Sequence, residues 1–201
     1  MTVFLLTLSA IIGASALYPY IRDILRGRTR PRLVTWAVWT FLAGVMTVSA
    51  LIAGELPSAV LSGISLVGCG IVVVLGWKRG STDLGRLDIM SLVGAVVGLA
   101  ALFWLQNPTV ALVISVSIDA IAFGPTLLHA WTDPDEESLS CYVLNTVTAG
   151  LAIAAAVYAG GSHTGLIYPI YSAAFNTIMS LLLVTAKRLN TSASYAYGNE
   201  E

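Results

Sequence analysis

Seven stretches of about 20 mainly apolar residues follow one another along this chain. They lie at about 2–24, 33–53, 57–77, 87–105, 108–131, 139–160 and 165–186. An α-helix needs about 20 apolar residues to cross the hydrocarbon core of a bilayer. Only 10% of the residues are charged, against roughly 25% in a typical soluble domain. The pattern therefore predicts an all-α integral membrane protein with seven transmembrane helices.

The breaks between these stretches are short and rich in turn residues. In chain order they read GRTRPR, GELP, KRGSTDLGR, QNP, TDPDEES and GGSHTG. Such links leave no room for a soluble domain, so we expect consecutive helices to run in opposite directions across the membrane. The first stretch has no Lys or Arg before it, which favours a retained helix over a cleaved signal peptide. Residues 189–201 are polar and predict a disordered cytoplasmic tail.

All ten basic residues fall on one side of the membrane if seven helices cross it. They are Arg22, Arg26, Arg28, Arg30 and Arg32 near the first turn, Lys78, Arg79 and Arg86 near the third, and Lys187 and Arg188 after the last helix. Cytoplasmic loops carry the excess of Lys and Arg in membrane proteins. We therefore expect the N-terminus outside the cell and the C-terminus in the cytoplasm.

The two ends of the chain match at an offset of 106 residues, which aligns helices 1–3 with helices 5–7 without a gap. Identical pairs include Ser9/Ser115, Pro19/Pro125, Leu33/Leu139, Ala43/Ala149, Gly44/Gly150, Ala53/Ala159 and Gly54/Gly160. Helices 1 and 5 then cross in the same direction, which predicts parallel repeats related by an axis along the membrane normal. The predicted units are a first three-helix repeat (1–80), a linker helix (81–106), a second three-helix repeat (107–188) and the tail (189–201).

Two parallel three-helix halves joined by one helix resemble the SWEET sugar transporters, the PQ-loop proteins and the Pnu-type nicotinamide riboside transporters. The likeness covers essentially the whole chain, and Pro19 and Pro125 match the prolines of the first and fifth helices in that superfamily. The chain departs from it where Tyr20 and Thr126 follow these prolines in place of the PQ-motif glutamine. The resemblance implies a carrier that works by alternating access.

Asp119 places a carboxylate near the middle of the fifth apolar stretch. A charge at this depth is costly and usually faces a cavity or a partner. The repeat position is matched by Gly13, so nothing in the repeat demands an acid there. One interpretation is a solute-binding or proton-coupling residue, and the resemblance includes proton-coupled PQ-loop exporters. The other is a structural Asp that ties helix 5 to a Ser or an Asn.

Aromatic and amide side chains occupy matching positions on helices 2 and 6. Trp36 and Trp39 lie three residues apart on one helix face, and Tyr142 and Asn145 are their repeat mates. Aromatic walls with a polar group suit a ring-bearing or sugar-like solute, which makes all four candidate binding residues. For the aromatic residues, a belt at the membrane interface is an equal alternative.

Helix 7 contributes two further candidates, Tyr171 and Asn176, of which Asn176 lies deeper. SWEET transporters carry paired asparagines on helices 3 and 7, whereas here Gly70 holds the position that matches Asn176. Sugar specificity is therefore not implied. We expect Tyr168 in the aromatic belt near the outer face.

Two cytoplasmic turns of opposite charge stand at matching positions of the repeat. The basic turn contains Arg28, Arg30 and Arg32, and the acidic turn contains Asp135, Glu136 and Glu137. Exposed ion pairs are worth about 0–1 kcal/mol each, which suits a gate that must open. These residues are the predicted gate, with Pro19 and Pro125 as flexing points. The alternative is two separate solvated loops, with arginines that only fix the topology.

These patterns predict a transporter of a small polar or ring-bearing solute, with proton coupling left open. The alternative is an accessory or sensor subunit without transport activity, while the lack of a metal cluster, nucleophile motif or intramembrane carboxylate pair argues against an enzyme. We expect no cofactor, no metal and no nucleic acid. The expected partners are the lipid bilayer, the solute and, as an open option, further copies of the chain. YIRDILRGRTRPRLVTW and GPTLLHAWTDPDEES also resemble an uncharacterised bacterial membrane family, which implies the inner (plasma) membrane.

Overall fold

The computed structural model describes residues 1–27, 31, 33–78, 80, 86–105 and 107–197, and the regular structure of these residues is entirely helical. The α-helices are α1 (Thr2–Leu25), α2 (Leu33–Ile52), α3 (Leu56–Gly76), α4 (Arg86–Leu105), α5 (Pro108–Thr132), α6 (Leu139–Tyr158) and α7 (His163–Tyr197), with a short 3-10 helix at Pro134–Glu136. Nearly all bounds lie within two residues of the predicted stretches. The apolar runs end at Gly, Pro and charged residues, which also end the helices.

The exception is the C-terminal end of α7. The sequence predicts that the last helix ends near residue 186 and that a disordered tail begins at residue 189, whereas α7 continues to Tyr197. Residues 187–197 contain neither Gly nor Pro, so no helix-breaking residue follows the apolar run directly. The predicted boundary between the second repeat and the tail, at residues 188 and 189, therefore lies within α7.

Among the described residues, six helices, α1–α3 and α5–α7, are long and apolar enough to cross a membrane. Their outward faces carry large apolar side chains, such as Phe4, Val74 and Leu181, that are more than half exposed. A soluble protein rarely exposes so much apolar surface, whereas hydrocarbon accommodates it. The fold is thus that of an α-helical membrane protein, and six of the seven predicted stretches are candidate membrane-spanning helices by length and composition.

The helices pack in two triplets with the same internal order. α3 packs against both α1 and α2, and α7 packs against both α5 and α6. Between the triplets, α1 packs on α6 and α2 packs on α5, while α4 lies against α5 and α2. The third helix of each triplet is therefore the central one, and consecutive helices are not always neighbours in space.

Several features recur 106 residues apart. α2 and α6 begin and end at positions separated by this offset. Each is followed by a glycine in the left-handed region, Gly54 with φ 74° and Gly160 with φ 66°, a conformation that residues with a Cβ atom rarely adopt. Ser9 of α1 and Ser115 of α5 are both fully buried. The two triplets thus share their turn geometry and part of their burial pattern.

Small residues allow α1 and α6 to approach closely. A Cβ atom on Gly13 would lie 3.0 Å from the Thr148 methyl group and 3.1 Å from a methyl group of Ile64. One helical turn away, the Ser9 hydroxyl donates a hydrogen bond to the Thr148 carbonyl at 3.0 Å. Close approach of backbones over small side chains is a common packing mode of helices in membranes. This contact joins the two triplets beside the cavity described next.

Candidate functional site

A cavity of about 140 Å³ lies between the two triplets. Side chains from α1, α2, α3, α5, α6 and α7 line it, and no described residue of α4 does. All seven candidate binding residues line this one cavity, namely Trp36, Trp39, Asp119, Tyr142, Asn145, Tyr171 and Asn176. The fold therefore brings together residues that lie up to 140 positions apart in the chain.

The start of α5 fixes the depth of Asp119. Pro108 occupies the first turn, and the Asn107 side chain accepts hydrogen bonds from the N–H groups of Thr109 and Val110 at 3.1 and 3.2 Å. Asp119 lies twelve residues after Asn107, about 18 Å along the helix at 1.5 Å per residue. It is the twelfth of the 25 residues of α5 and so lies near its middle.

Asp119 is paired with a tyrosine from α7. The Tyr171 hydroxyl donates a hydrogen bond to Asp119 Oδ2 at 2.7 Å. A short bond between a hydroxyl group and a carboxylate oxygen is among the stronger hydrogen bonds in proteins. It holds the carboxyl group at the cavity and links α5 to α7. The partner is a tyrosine and not the expected Ser or Asn, and a structural tie and a solute-binding role both stay open.

A continuous set of aromatic rings forms much of the cavity wall. Trp36 and Trp39 meet edge to face with their centroids 5.2 Å apart, and Trp39 meets Phe175 at 6.5 Å. The ring of Tyr171 lies 5.9 Å from Phe175 and 6.4 Å from Tyr168. Two tryptophans of α2 and three rings of α7 are thereby held in contact. Trp36 and Trp39 line the cavity, and their role in binding a solute stays a prediction.

The polar groups of the cavity differ in how far they are satisfied. Asn176 Nδ2 donates to the Ser172 carbonyl oxygen at 2.8 Å, and Asn145 Nδ2 makes a long contact of 3.6 Å with Cys141 Sγ. The indole N–H of Trp39 is buried and has no hydrogen-bond partner among the described residues. Buried polar groups are normally paired, so a solute acceptor that reached this N–H after a rearrangement of the cavity wall would satisfy it.

Tyr168 is a cavity residue, which corrects the prediction that it belongs to an outer aromatic belt. It is only 7% exposed, lines the cavity and shares a 2.9 Å hydrogen bond with Ser65 of α3. Ser172 and Phe175 also line the cavity and were not predicted. The cavity face of α7 comprises Tyr168, Tyr171, Ser172, Phe175 and Asn176. Their spacing of three and four residues is the signal that identifies them as one helix face.

The predicted hinge prolines lie within continuous helices. α1 runs through Pro19 and α5 runs through position 125. A third proline, Pro169, lies within α7 between two tyrosines of the cavity. A proline in a helix interior removes one backbone hydrogen bond and locally weakens the helix. That these positions flex remains a prediction.

The acidic turn makes contacts within its own half of the chain. Lys187 Nζ of α7 lies 3.5 Å from Asp135 Oδ1, and the Tyr142 hydroxyl donates to Glu137 Oε2 at 2.9 Å. Glu136 belongs to the 3-10 helix, and its side chain lies outside the described part of the structure. The three predicted gate arginines, Arg28, Arg30 and Arg32, also lie outside the described residues. Pairing between the two turns therefore stays a prediction.

Within the described ranges, no cluster of His, Cys, Asp and Glu side chains could hold a metal ion. Cys69 and Cys141 line the cavity as free thiols. The chain matches no protein-family model, no curated protein and no solved structure.

Proposed function

We propose that this protein is a membrane carrier for a small polar or ring-bearing solute, and that it works by alternating access. One observation carries the proposal. Seven residues selected from the sequence as solute ligands, from four different helices, line a single internal cavity around a tyrosine-bound carboxylate. Concave sites with aromatic walls and a few convergent polar groups are the usual form of small-molecule sites.

The proposed architecture is that of the SWEET-like transporters: two parallel three-helix repeats, with α4 as a seventh, linking membrane helix. The equal order of packing in both triplets and the paired left-handed glycines support it. A cavity between two repeats is where carriers of this kind place their solute. In the proposed orientation the N-terminus lies outside and the basic turns face the cytoplasm of a bacterial cell.

Contacts at the proposed outer end of the bundle fit a closed outer gate. There α3 and α7 begin, and Ser58 Oγ of α3 donates to the Gly165 carbonyl oxygen of α7 at 2.8 Å. Ser162 Oγ, just before α7, donates to Glu55 Oε1, just before α3. These bonds hold the two central helices together at one end. A carrier that opens to alternate sides must break such contacts in each cycle.

The accessory or sensor subunit is the second candidate. Its polar intramembrane residues would be expected to meet a partner protein at the outer surface of the bundle. Asp119 and Asn176 instead make hydrogen bonds within the chain and line the internal cavity, which favours the carrier.

Solute exchange in proteoliposomes tests the proposal. The purified full-length chain is assayed for counterflow with radiolabelled sugars, nucleosides, amino acids and amines. We expect at least one solute to exchange, and Asp119→Asn to reduce its rate by tenfold or more, about 1.4 kcal/mol. Asp23→Asn is the matched control, because Asp23 lies in the last turn of α1 and does not line the cavity. Equal loss in both variants, or no exchange of any solute, would contradict the proposal.

A further inference from the structure

We infer that the cavity selects a small organic cation carrying a single positive charge, of about the size of one six-membered ring with a short substituent. The inference rests on the proposed function and adds the chemical class of the solute. Three independent properties of the cavity lead to it: its charge, the nature of its walls and its volume.

The acidic group of Asp119 has no basic partner among the described residues that line the cavity. Asp119 is the only charged side chain among the described residues that line it, and none of them is Lys, Arg or His. The one hydrogen bond from Tyr171 reaches Oδ2 of the carboxylate. A carboxylate buried without a counter-charge is costly, so a cation that enters the cavity gains more than a neutral solute of the same shape. An anion is repelled for the same reason.

The walls of the cavity are rich in aromatic rings. Trp36, Trp39, Tyr171 and Phe175 present a connected set of rings around it. The faces of such rings carry negative electrostatic potential and attract a cation within about 6 Å of the ring centroid, most strongly for tryptophan. Cages of several aromatic rings recognise quaternary ammonium groups in this way. The aromatic wall and the carboxylate therefore favour the same kind of solute.

The volume of the cavity limits the size of the solute. An apolar cavity of about 150 Å³ is known to take up one benzene molecule, and this cavity measures about 140 Å³. The cavity is partly open, so a single ring fits inside it and a short substituent can extend through the opening. The indole N–H of Trp39 is buried and unpaired, and after a rearrangement of the cavity wall it would pair with an acceptor atom on the substituent of the ring.

Binding of a matched series of one-ring probes tests the inference. Benzyltrimethylammonium and benzylammonium are cations, benzyl alcohol is neutral and benzoate is an anion, and all four share one ring. Their dissociation constants are measured by calorimetry on the full-length chain in lipid nanodiscs, with empty nanodiscs subtracted. We expect the cations to bind about tenfold more tightly than benzyl alcohol, and benzoate to bind more weakly than either. In Asp119→Asn, the ratio of the affinity for the cations to the affinity for benzyl alcohol should fall towards one. Asp23→Asn should retain the wild-type ratio.

Several results would overturn the inference. The first is that benzyl alcohol binds as tightly as the cations, and the second is that benzoate binds more tightly than they do. The third is that Asp119→Asn still prefers the cations, and the fourth is that neither cation binds. Counterflow of the same probes in proteoliposomes separates the inference from the proposed function. Asp119-dependent binding of a cation that does not cross the membrane supports the site and contradicts the carrier. Asp119-dependent transport confined to neutral solutes supports the carrier and contradicts the cation site.

Discussion

Asp119→Asn keeps the size of the side chain and its capacity to accept a hydrogen bond from Tyr171, and it removes the negative charge. If that charge serves both a proton and a cationic solute, solute exchange and pH-driven accumulation should fall together by tenfold or more. The other titratable side chains of the cavity are phenols and thiols, which carry no charge at neutral pH in water. Both rates are measured in the same proteoliposomes.

Other results for Asp119→Asn would assign different roles. Loss of accumulation with retained exchange would restrict Asp119 to proton coupling. A folded variant with unchanged transport and unchanged pH dependence would leave the residue as a packing contact. The neutral variant thus separates three roles that the wild-type geometry permits.

Trp39→Phe tests the unpaired indole donor. The change retains an aromatic ring and removes an N–H group that has no partner among the described residues. We expect affinity for a cation with a hydroxyl or carbonyl group to fall two- to tenfold, the equivalent of a hydrogen bond of about 0.5–1.5 kcal/mol. Affinity for benzyltrimethylammonium, which has no acceptor, should change less. The measurement is the same calorimetric titration.

The control for this substitution is Trp104→Phe, the same change at a residue of α4 that is 85% exposed and outside the cavity. It should leave both affinities unchanged. An equal loss for both cations in Trp39→Phe would attribute the effect to the ring and not to the N–H group.

At the residue scale, the cavity could be predicted in part. Matching positions in the two halves single out Trp36, Trp39 and their repeat mates. Asp119 stands out because a carboxylate within an apolar stretch costs free energy. The position of Tyr168 near one end of α7 predicts the lipid interface, whereas the helix face that it shares with Tyr171 and Asn176 places it in the cavity. Phe175 was missed because an apolar ring in a membrane helix gives no contrast in composition.

At the scale of the elements, the sequence predicts well where the helices begin and end. It predicts less well which helices pack against one another. Helix ends follow from the length of apolar runs and from residues such as Gly54 and Pro108. The position of α3 between α1 and α2 gives no comparable signal, because membrane helices are apolar on nearly all faces and show little periodicity. Packing order is then set by the fit of small and large side chains, which a single sequence does not reveal directly.

Gly13→Ala tests the contact between α1 and α6. The new methyl group would lie 3.0–3.1 Å from side-chain carbons of Thr148 and Ile64, so these must move or α1 must shift. We expect the midpoint of thermal unfolding to fall, with a cost of about 1–3 kcal/mol for overpacking set against a gain of up to about 1 kcal/mol in helix propensity. The measurement is the unfolding midpoint in detergent.

Gly44→Ala is the matched control for this substitution. Its methyl group would lie at an ordinary 3.7 Å from Leu66, so only the gain in helix propensity should remain and the midpoint should not fall. Equal midpoints in the two variants would mean that α1 and α6 are less tightly packed than described here.

At the scale of the whole molecule, the proposed orientation rests on where the basic residues lie. Pro31, in the first turn, is in close contact with Gly76 and Gly80 beside the third turn, so these two basic turns share one end of the bundle. We expect a cysteine at position 196 to react with a membrane-impermeant maleimide only in inverted vesicles. The background lacks Cys69 and Cys141. Labelling of intact cells would place the C-terminus outside and reverse the assignment of the gates.

Asp119 carries the one carboxylate among the described residues of the cavity, and this has a consequence for energy coupling. Asp119 can neutralise one proton or one singly charged organic cation, but not both at once. If the two alternate on it, each cycle carries one positive charge inward and one outward, and the net transfer of charge is zero. Such an exchange is electrically silent. A pH gradient would drive accumulation of the cation, whereas the membrane voltage alone, of either sign, would not.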